Sequence, residues 1–394
     1  MKDKLKVAFV VQRYGLEVNG GAELHCRQLA ERMSKYYDID VLTTCAVDHI
    51  TWANYYPEKV EYINGITVRR FKVDTERNID EFNQFYGKIC ATEHTYIDEV
   101  QWLWKQGPVC KGLINYINQN KDSYDIFIFM TYLYFTTYFG LQQVPEKSVF
   151  IPTAHDEPPI YFQIYRPLFH LPRGIFYNTN EEKEFVNKLF NNSYIKSDIG
   201  GVGIDTPRSE ELPNIVEKYH IDYKYIVYVG RIDPAKGCDI LFDYFTRYKS
   251  KKRTNLKLVL IGKPVMDIPK HEDIVSLGFL SDEDKFSWIA SAEALVSPSK
   301  FESLSMVVLE SMAMKTPVLV NGHCDVLKGH CLRSNGGLYF KDYNQFEKCL
   351  DLLLSDSILR ERLGQNGEKY VKQNYRWSII EHKLISLIEN IISN

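Results

Sequence analysis

Two carboxylates, Glu302 and Glu310, stand eight positions apart in "SPSKFESLSMVVLESMAMKTPVLVNG" (297–322). The stretch passes from a polar loop into an apolar, helix-like run beginning at Leu304, then to Pro317 and the strand-like Val318–Val320. Eight residues of helix rise about 12 Å, so acids at that interval suit two parts of one elongated ligand. Carboxylate oxygens accept hydrogen bonds from hydroxyls, and the free N–H groups of a helix start face a phosphate. Here those N–H groups belong to residues near Ser303–Met306. A sugar joined through phosphates to a nucleoside offers both kinds of partner. Spacing alone leaves open a plainer reading, two solvated acids on a helix face.

Three further stretches carry chemistry-bearing residues. In "VYVGRIDPAKG" (227–237), Gly230, Arg231 and Lys236 follow a strand-like run. Two cations on such a loop suit a departing diphosphate, or equally a surface ion pair. The loop lacks the G-x-x-x-x-G-K-[ST] pattern of a Walker loop. In "YGLEVNGGAE" (14–23), Gly20 and Gly21 let backbone approach a ligand just before a helix, or simply make a turn. In "VFIPTAHDEPP" (149–159), His155 and Asp156 come at the expected end of a strand, where ligands gather in parallel sheets. Metal spacings are poor. Asp38 and Asp40 read as turn and strand entry, and Ser281 with Asp284 reads as a helix cap. His323, Cys324, His330 and Cys331 form two His-Cys dipeptides whose adjacent residues chelate awkwardly. No metal and no cofactor are expected.

Strand-like runs alternate with amphipathic helices, the pattern of parallel α/β architecture. Strands are expected over 6–12, 38–44, 124–130 and 148–155, with a helix-rich insertion at roughly 80–120. A second series begins near 222, with strands over 223–230, 256–262 and 293–299. "GVGIDTPRSEELPN" (201–214), rich in Gly, Pro and charge, looks like the connector. The fold class expected is α/β, with two Rossmann-like doubly wound domains facing a deep cleft. The domains are 1–205, joined by a crossing helix at 377–394, and 206–376. The motifs nearly all follow strands, which places them at the carboxyl ends where such sheets bind ligands.

Composition narrows the classes. The 394 residues are 45% hydrophobic and 25% charged with a formal net charge of −3, so no global basic field marks a nucleic-acid binder. Eight scattered cysteines without a CxxC pair, and an N-terminal apolar run of only Val7–Val11, lead to an expectation of reduced thiols in a cytoplasmic protein. Residues 126–145 carry no Asp, Glu, Lys or Arg but include Thr, Gln, Gly and Pro, and read as a buried strand followed by a helix rather than a span. Aromatics interleaved with Arg166 and Arg173 at 160–177 suit either peripheral contact with a membrane or core packing.

Together these stretches resemble the GT-B glycosyltransferases, specifically glycosyltransferase family 4, over nearly the whole chain and most closely at 225–340. The E-x7-E pattern is carried by Pro298, Ser299, Glu302, Glu310, Met312 and Pro317, with the "GR…KG" loop upstream. The resemblance implies that Arg231 and Lys236 bind a donor diphosphate, Glu310 the ribose and Glu302 the transferred sugar. It also implies amides at Leu304, Ser305 and Met306 on sugar or phosphate, Gly21 closing over the phosphates, and His155 beside the reacting sugar. Where many members have Phe-Gly after the first Glu, this chain has Leu304–Ser305. The implied reaction is metal-independent retaining transfer from a nucleotide-sugar to a glycan or lipid-linked acceptor. The setting implied is bacterial polysaccharide or glycolipid assembly, with no nucleic-acid partner, at the inner face of the cytoplasmic membrane. A phosphorylase, a nucleotide-sugar epimerase and a silent sugar-binding subunit use similar parts.

Overall fold

The computed structural model describes residues 4–18, 20–208 and 211–393. Asn19 of the glycine turn, and Ser209 and Glu210 of the connector, lie outside them. The chain divides into two units, Met1–Val202 with Ile380–Asn394, and Gly203–Ile379.

The first unit is built on eight strands: β1 (Lys6–Val10), β2 (Asp38–Thr44), β3 (Val60–Ile63), β4 (Ile66–Phe71), β5 (Ile126–Met130), β6 (Ser148–Ile151), β7 (Gly174–Tyr177) and β8 (Lys196–Ile199). Their order is β3-β4-β2-β1-β5-β6-β7-β8, and every pairing is parallel except the β3–β4 hairpin. A parallel sheet covered on both faces demands continuous apolar strands, and "IFIFM" of β5 is buried at all five positions. The charge-free stretch at 126–145 is that strand followed by the helix Phe135–Leu141, as its composition suggested. Among the described residues no helix is long and apolar enough to cross a membrane. The aromatic stretch at 160–177 packs inward: Phe162, Tyr165, Phe169, Phe176 and Tyr177 are all buried. Those five rings take the core-packing alternative, while Tyr161 of the same stretch is exposed.

From Ile380 onward the helix Trp377–Ile392 belongs to this same unit. Glu381 accepts a hydrogen bond from Tyr36 Oη at 2.9 Å, and Lys196 Nζ donates to the Asn390 carbonyl at 2.7 Å. A Cβ at Gly174 would meet Ile391 Cδ1 at 2.6 Å, so the helix and β7 pack closely.

The second unit has six strands: β9 (Tyr225–Val229), β10 (Lys257–Ile261), β11 (Ile274–Gly278), β12 (Ala294–Ser297), β13 (Val318–Asn321) and β14 (Gly337–Phe340). Their order is β11-β10-β9-β12-β13-β14, all parallel. The order reverses between β9 and β12, which makes their carboxyl ends the switch point where such sheets bind ligands.

Candidate donor site of the second unit

The loop leaving β9 carries both cations, and the loop leaving β12 carries the first acid. They meet at one point: Lys236 Nζ lies 2.7 Å from Glu302 Oε1. Arg231 is turned to Asp233 of its own loop, with Nε 2.7 Å from Oδ2. Two further hydrogen bonds fix the loop beneath these charges. Tyr228 Oη donates to the Arg231 carbonyl at 2.7 Å, and Asp233 caps the short turn Pro234–Lys236 by accepting from the Ala235 N–H. Gly230 packs against the neighbouring strand end so closely that a Cβ on Gly262 would overlap its carbonyl. Asn321, at the end of β13, donates to the Pro298 carbonyl at 2.8 Å and so holds the acid-bearing loop.

The helix expected from Leu304 begins instead at Met306. Ser305 has φ +65°, a left-handed conformation that ends any helical path through Leu304 and Ser305. Glu302 lies in the loop before the helix, and Glu310 within it, as the fifth residue of Met306–Ala313. Glu310 pairs with Lys285 of the helix Asp282–Ala290, at 3.2 Å. Burial pushes its carboxyl above the usual range, and Lys285 pulls it only part of the way back. Burial draws the Lys285 ammonium down, but Glu310 and Asp282 outweigh it and leave the ammonium raised. The structure thus joins Lys236 with Glu302, sets Arg231 on the same loop, and holds Glu310 in a separate pair. Met306 opens the helix whose first N–H groups follow the Ser305 turn.

Gly20, Gly21 and His155 belong to the first unit. Gly20 precedes the helix Gly21–Met33, and a Cβ there would fall 1.9 Å from Glu23 Oε2. Glu23 is buried and takes hydrogen bonds from Arg13 and Gln12, so Gly20 makes room for that cluster. Nothing lies within 4 Å of a Cβ at Gly21, so packing does not require glycine there. His155 comes four residues after β6 ends, with Nε2 3.4 Å from Glu157 Oε2. Its carbonyl accepts the Glu157 N–H at 2.9 Å.

Sequence reading passed over two side chains and the surroundings of a third. Lys285 is 25 positions from the acid it neutralises. Glu182, wholly buried, accepts the backbone N–H of Ala154 at 2.5 Å and of Asn178 at 2.6 Å. Its only sequence signal is the Thr179-x-x-Glu182 cap of the helix Asn180–Phe190. His330, weighed as a metal ligand, is a buried ring bonded to the Leu304 carbonyl. Among the described residues no three His, Cys, Asp or Glu side chains gather as a metal site would need.

Residues 212–370 match the family model of glycosyl transferases group 1. An uncharacterized glycosyltransferase of Methanocaldococcus jannaschii is 23% identical, over 97% of this chain and 97% of its own. The capsular polysaccharide biosynthesis glycosyltransferase CapM of Staphylococcus aureus is 26% identical over 45% of this chain, which spans about half of that relative (49%). The crystal structure of Anabaena Alr3699/HepE in complex with UDP and glucose is similar in fold. Its TM-score is 0.70 at 12% identity, over 98% of this chain and 100% of that one. The chain thus matches the glycosyl transferases group 1 model over 212–370, and it shares the fold of glycosyltransferase structures.

Proposed function

We propose that this protein is a glycosyltransferase of family 4 that moves a sugar from a nucleotide-diphosphate donor to a hydroxyl of a glycan or lipid-linked acceptor, retaining the anomeric configuration. The observation that carries the reading is the meeting of Lys236 and Glu302 at the β9–β12 switch point, inside the matched region. A cation for phosphate and an acid for hydroxyls stand side by side there, as a sugar phosphate requires. In the proposed reaction the bond between the anomeric carbon and the diphosphate breaks first. Lys236 and Arg231 take up the developing charge, and the helix starting at Met306 adds its N–H groups. The acceptor oxygen then bonds to the same face of that carbon, and its proton passes to the departing phosphate oxygen. Glu310 holds the ribose hydroxyls and Glu302 those of the sugar. The charge work falls to side chains, with no metal and no further cofactor.

The setting proposed is assembly of bacterial surface polysaccharide or glycolipid at the cytoplasmic side of the membrane. The half-length likeness to the capsular enzyme supports it. Thermal-shift screening against UDP-, GDP-, dTDP- and ADP-sugars identifies the donor, since a ligand that binds only the folded state raises the melting temperature. NMR of the product then reads its anomeric configuration. An inverted product sinks the retaining assignment, and no shift with any of the four sinks the donor reading.

A further inference from the structure

The turn at Leu304–Ser305 is the least expected piece of the second unit. A serine held at φ +65° is strained and persists only where its surroundings leave no alternative. Those surroundings can be traced. The Leu304 carbonyl accepts a hydrogen bond from His330 Nε2 at 2.8 Å, and the His330 ring is wholly buried on the helix Asp325–Ser334. His330 Nδ1 lies 3.2 Å from Tyr370 Oη, and Arg333 Nε donates to that same oxygen at 3.3 Å.

One end of this chain fixes the ring's proton. A backbone carbonyl only accepts, so the proton stands on Nε2, aimed at Leu304, and Nδ1 is left as an acceptor facing Tyr370. Tyr370 Oη accepts from Arg333 and also lies 3.4 Å from Tyr375 Oη. Burial reinforces this, drawing the imidazole down to about 4, so the ring stays neutral and keeps one tautomer across the physiological range.

We propose that His330 is a positioning residue for donor binding: by holding the Leu304 carbonyl it sets the Ser305 turn and aims the first N–H groups of Met306–Ala313 at the donor phosphates. This rests on the donor reading above. Without the ring, the carbonyl of a buried residue loses its partner and the turn loses its restraint. A glutamine reaches the same carbonyl with its amide N–H, whereas a leucine fills the space without a donor.

The test measures binding of UDP, GDP, dTDP and ADP by calorimetry to wild type, His330→Leu, His330→Gln and Tyr370→Phe, with circular dichroism as the check on fold. Expected is a Kd for the nucleotide bound by wild type raised roughly tenfold or more in folded His330→Leu, and recovered to within about threefold in His330→Gln. Wild-type affinity in folded His330→Leu, or no recovery in His330→Gln, overturns the proposal. Where His330→Leu does not fold, Tyr370→Phe decides: a Kd raised roughly threefold supports the relay, and an unchanged one overturns it. A wild-type protein that binds none of the four nucleotides overturns the donor reading itself, and this proposal with it.

Discussion

A Cβ on Gly237 would stand 2.5 Å from the carbonyl oxygen of Pro298, so the cation loop after β9 and the acid loop after β12 are packed backbone against backbone. Gly237 also has φ +75°, which side chains resist. Gly237→Ala is expected to cost roughly 1–3 kcal/mol of stability from the strained backbone, and more if the loops are forced apart. Urea unfolding measures the loss, and a midpoint equal to wild type would show that the loops separate freely.

Lys236→Ala is expected to lower transfer by roughly 10²–10³ with the fold intact, the loss typical of removing one preorganised stabiliser of developing charge. Arg231→Ala should behave likewise. The Lys236–Glu302 pair is partly exposed, so its removal changes stability by at most about 1 kcal/mol. Initial rates with the donor found by thermal shift decide, and near-normal turnover in either variant removes that residue from the leaving-group role.

In the proposed role Glu310 would accept ribose hydroxyls best as a carboxylate, and burial keeps its carboxyl above the ordinary 4.5. Nucleotide affinity should therefore fall as pH drops through a midpoint higher than 4.5, because the folded acid takes up its proton early. Lys285→Met removes the cation that pulls this carboxyl back down and should carry that midpoint higher still. Calorimetric titration between about pH 4.5 and 8 follows both curves, and affinity that is flat across that span separates Glu310 from the ribose.

Glu182 ties the Ala154 backbone, one residue before His155, to the end of β7. Burial raises its carboxyl to about 8, against the opposing pull of the Asn178 and Ala154 N–H groups and of His155. The folded chain thus holds this proton more tightly than the unfolded chain. The resulting stabilisation is complete below about 4.5 and is lost as pH rises through about 8. Between those values the slope approaches about 1.4 kcal/mol per pH unit. Glu182→Gln should flatten it, as read from urea midpoints at several pH values, and an unchanged slope in the variant assigns the dependence elsewhere.

Much of the two sheets was legible because their strands are buried on both faces and read as unbroken apolar runs. The run at 38–44 is β2, and those at 223–230 and 256–262 differ from β9 and β10 by two residues or fewer at each end. The β3–β4 hairpin escaped notice because its edge strand alternates exposed and partly buried residues in a short segment. β7 was hidden inside an aromatic stretch whose composition fits a surface as well as a core. At the site, residue types and loop positions were readable, since each follows a strand. Pairings were not: Lys236 and Glu302 are 66 positions apart, and Lys285 and Glu310 are 25. Nor does any periodicity announce a left-handed serine, so the helix start was placed two residues early.

Lys236 already has an acid of its own chain against it. A small anion such as orthophosphate that draws the ammonium away leaves Glu302 without that counter-charge and supplies nothing in exchange. A molecule that presents phosphate and a hydroxyl-rich face at once satisfies both side chains together. Discrimination then begins before shape is tested, since each charge screens its neighbour from ligands that carry only half of the complement.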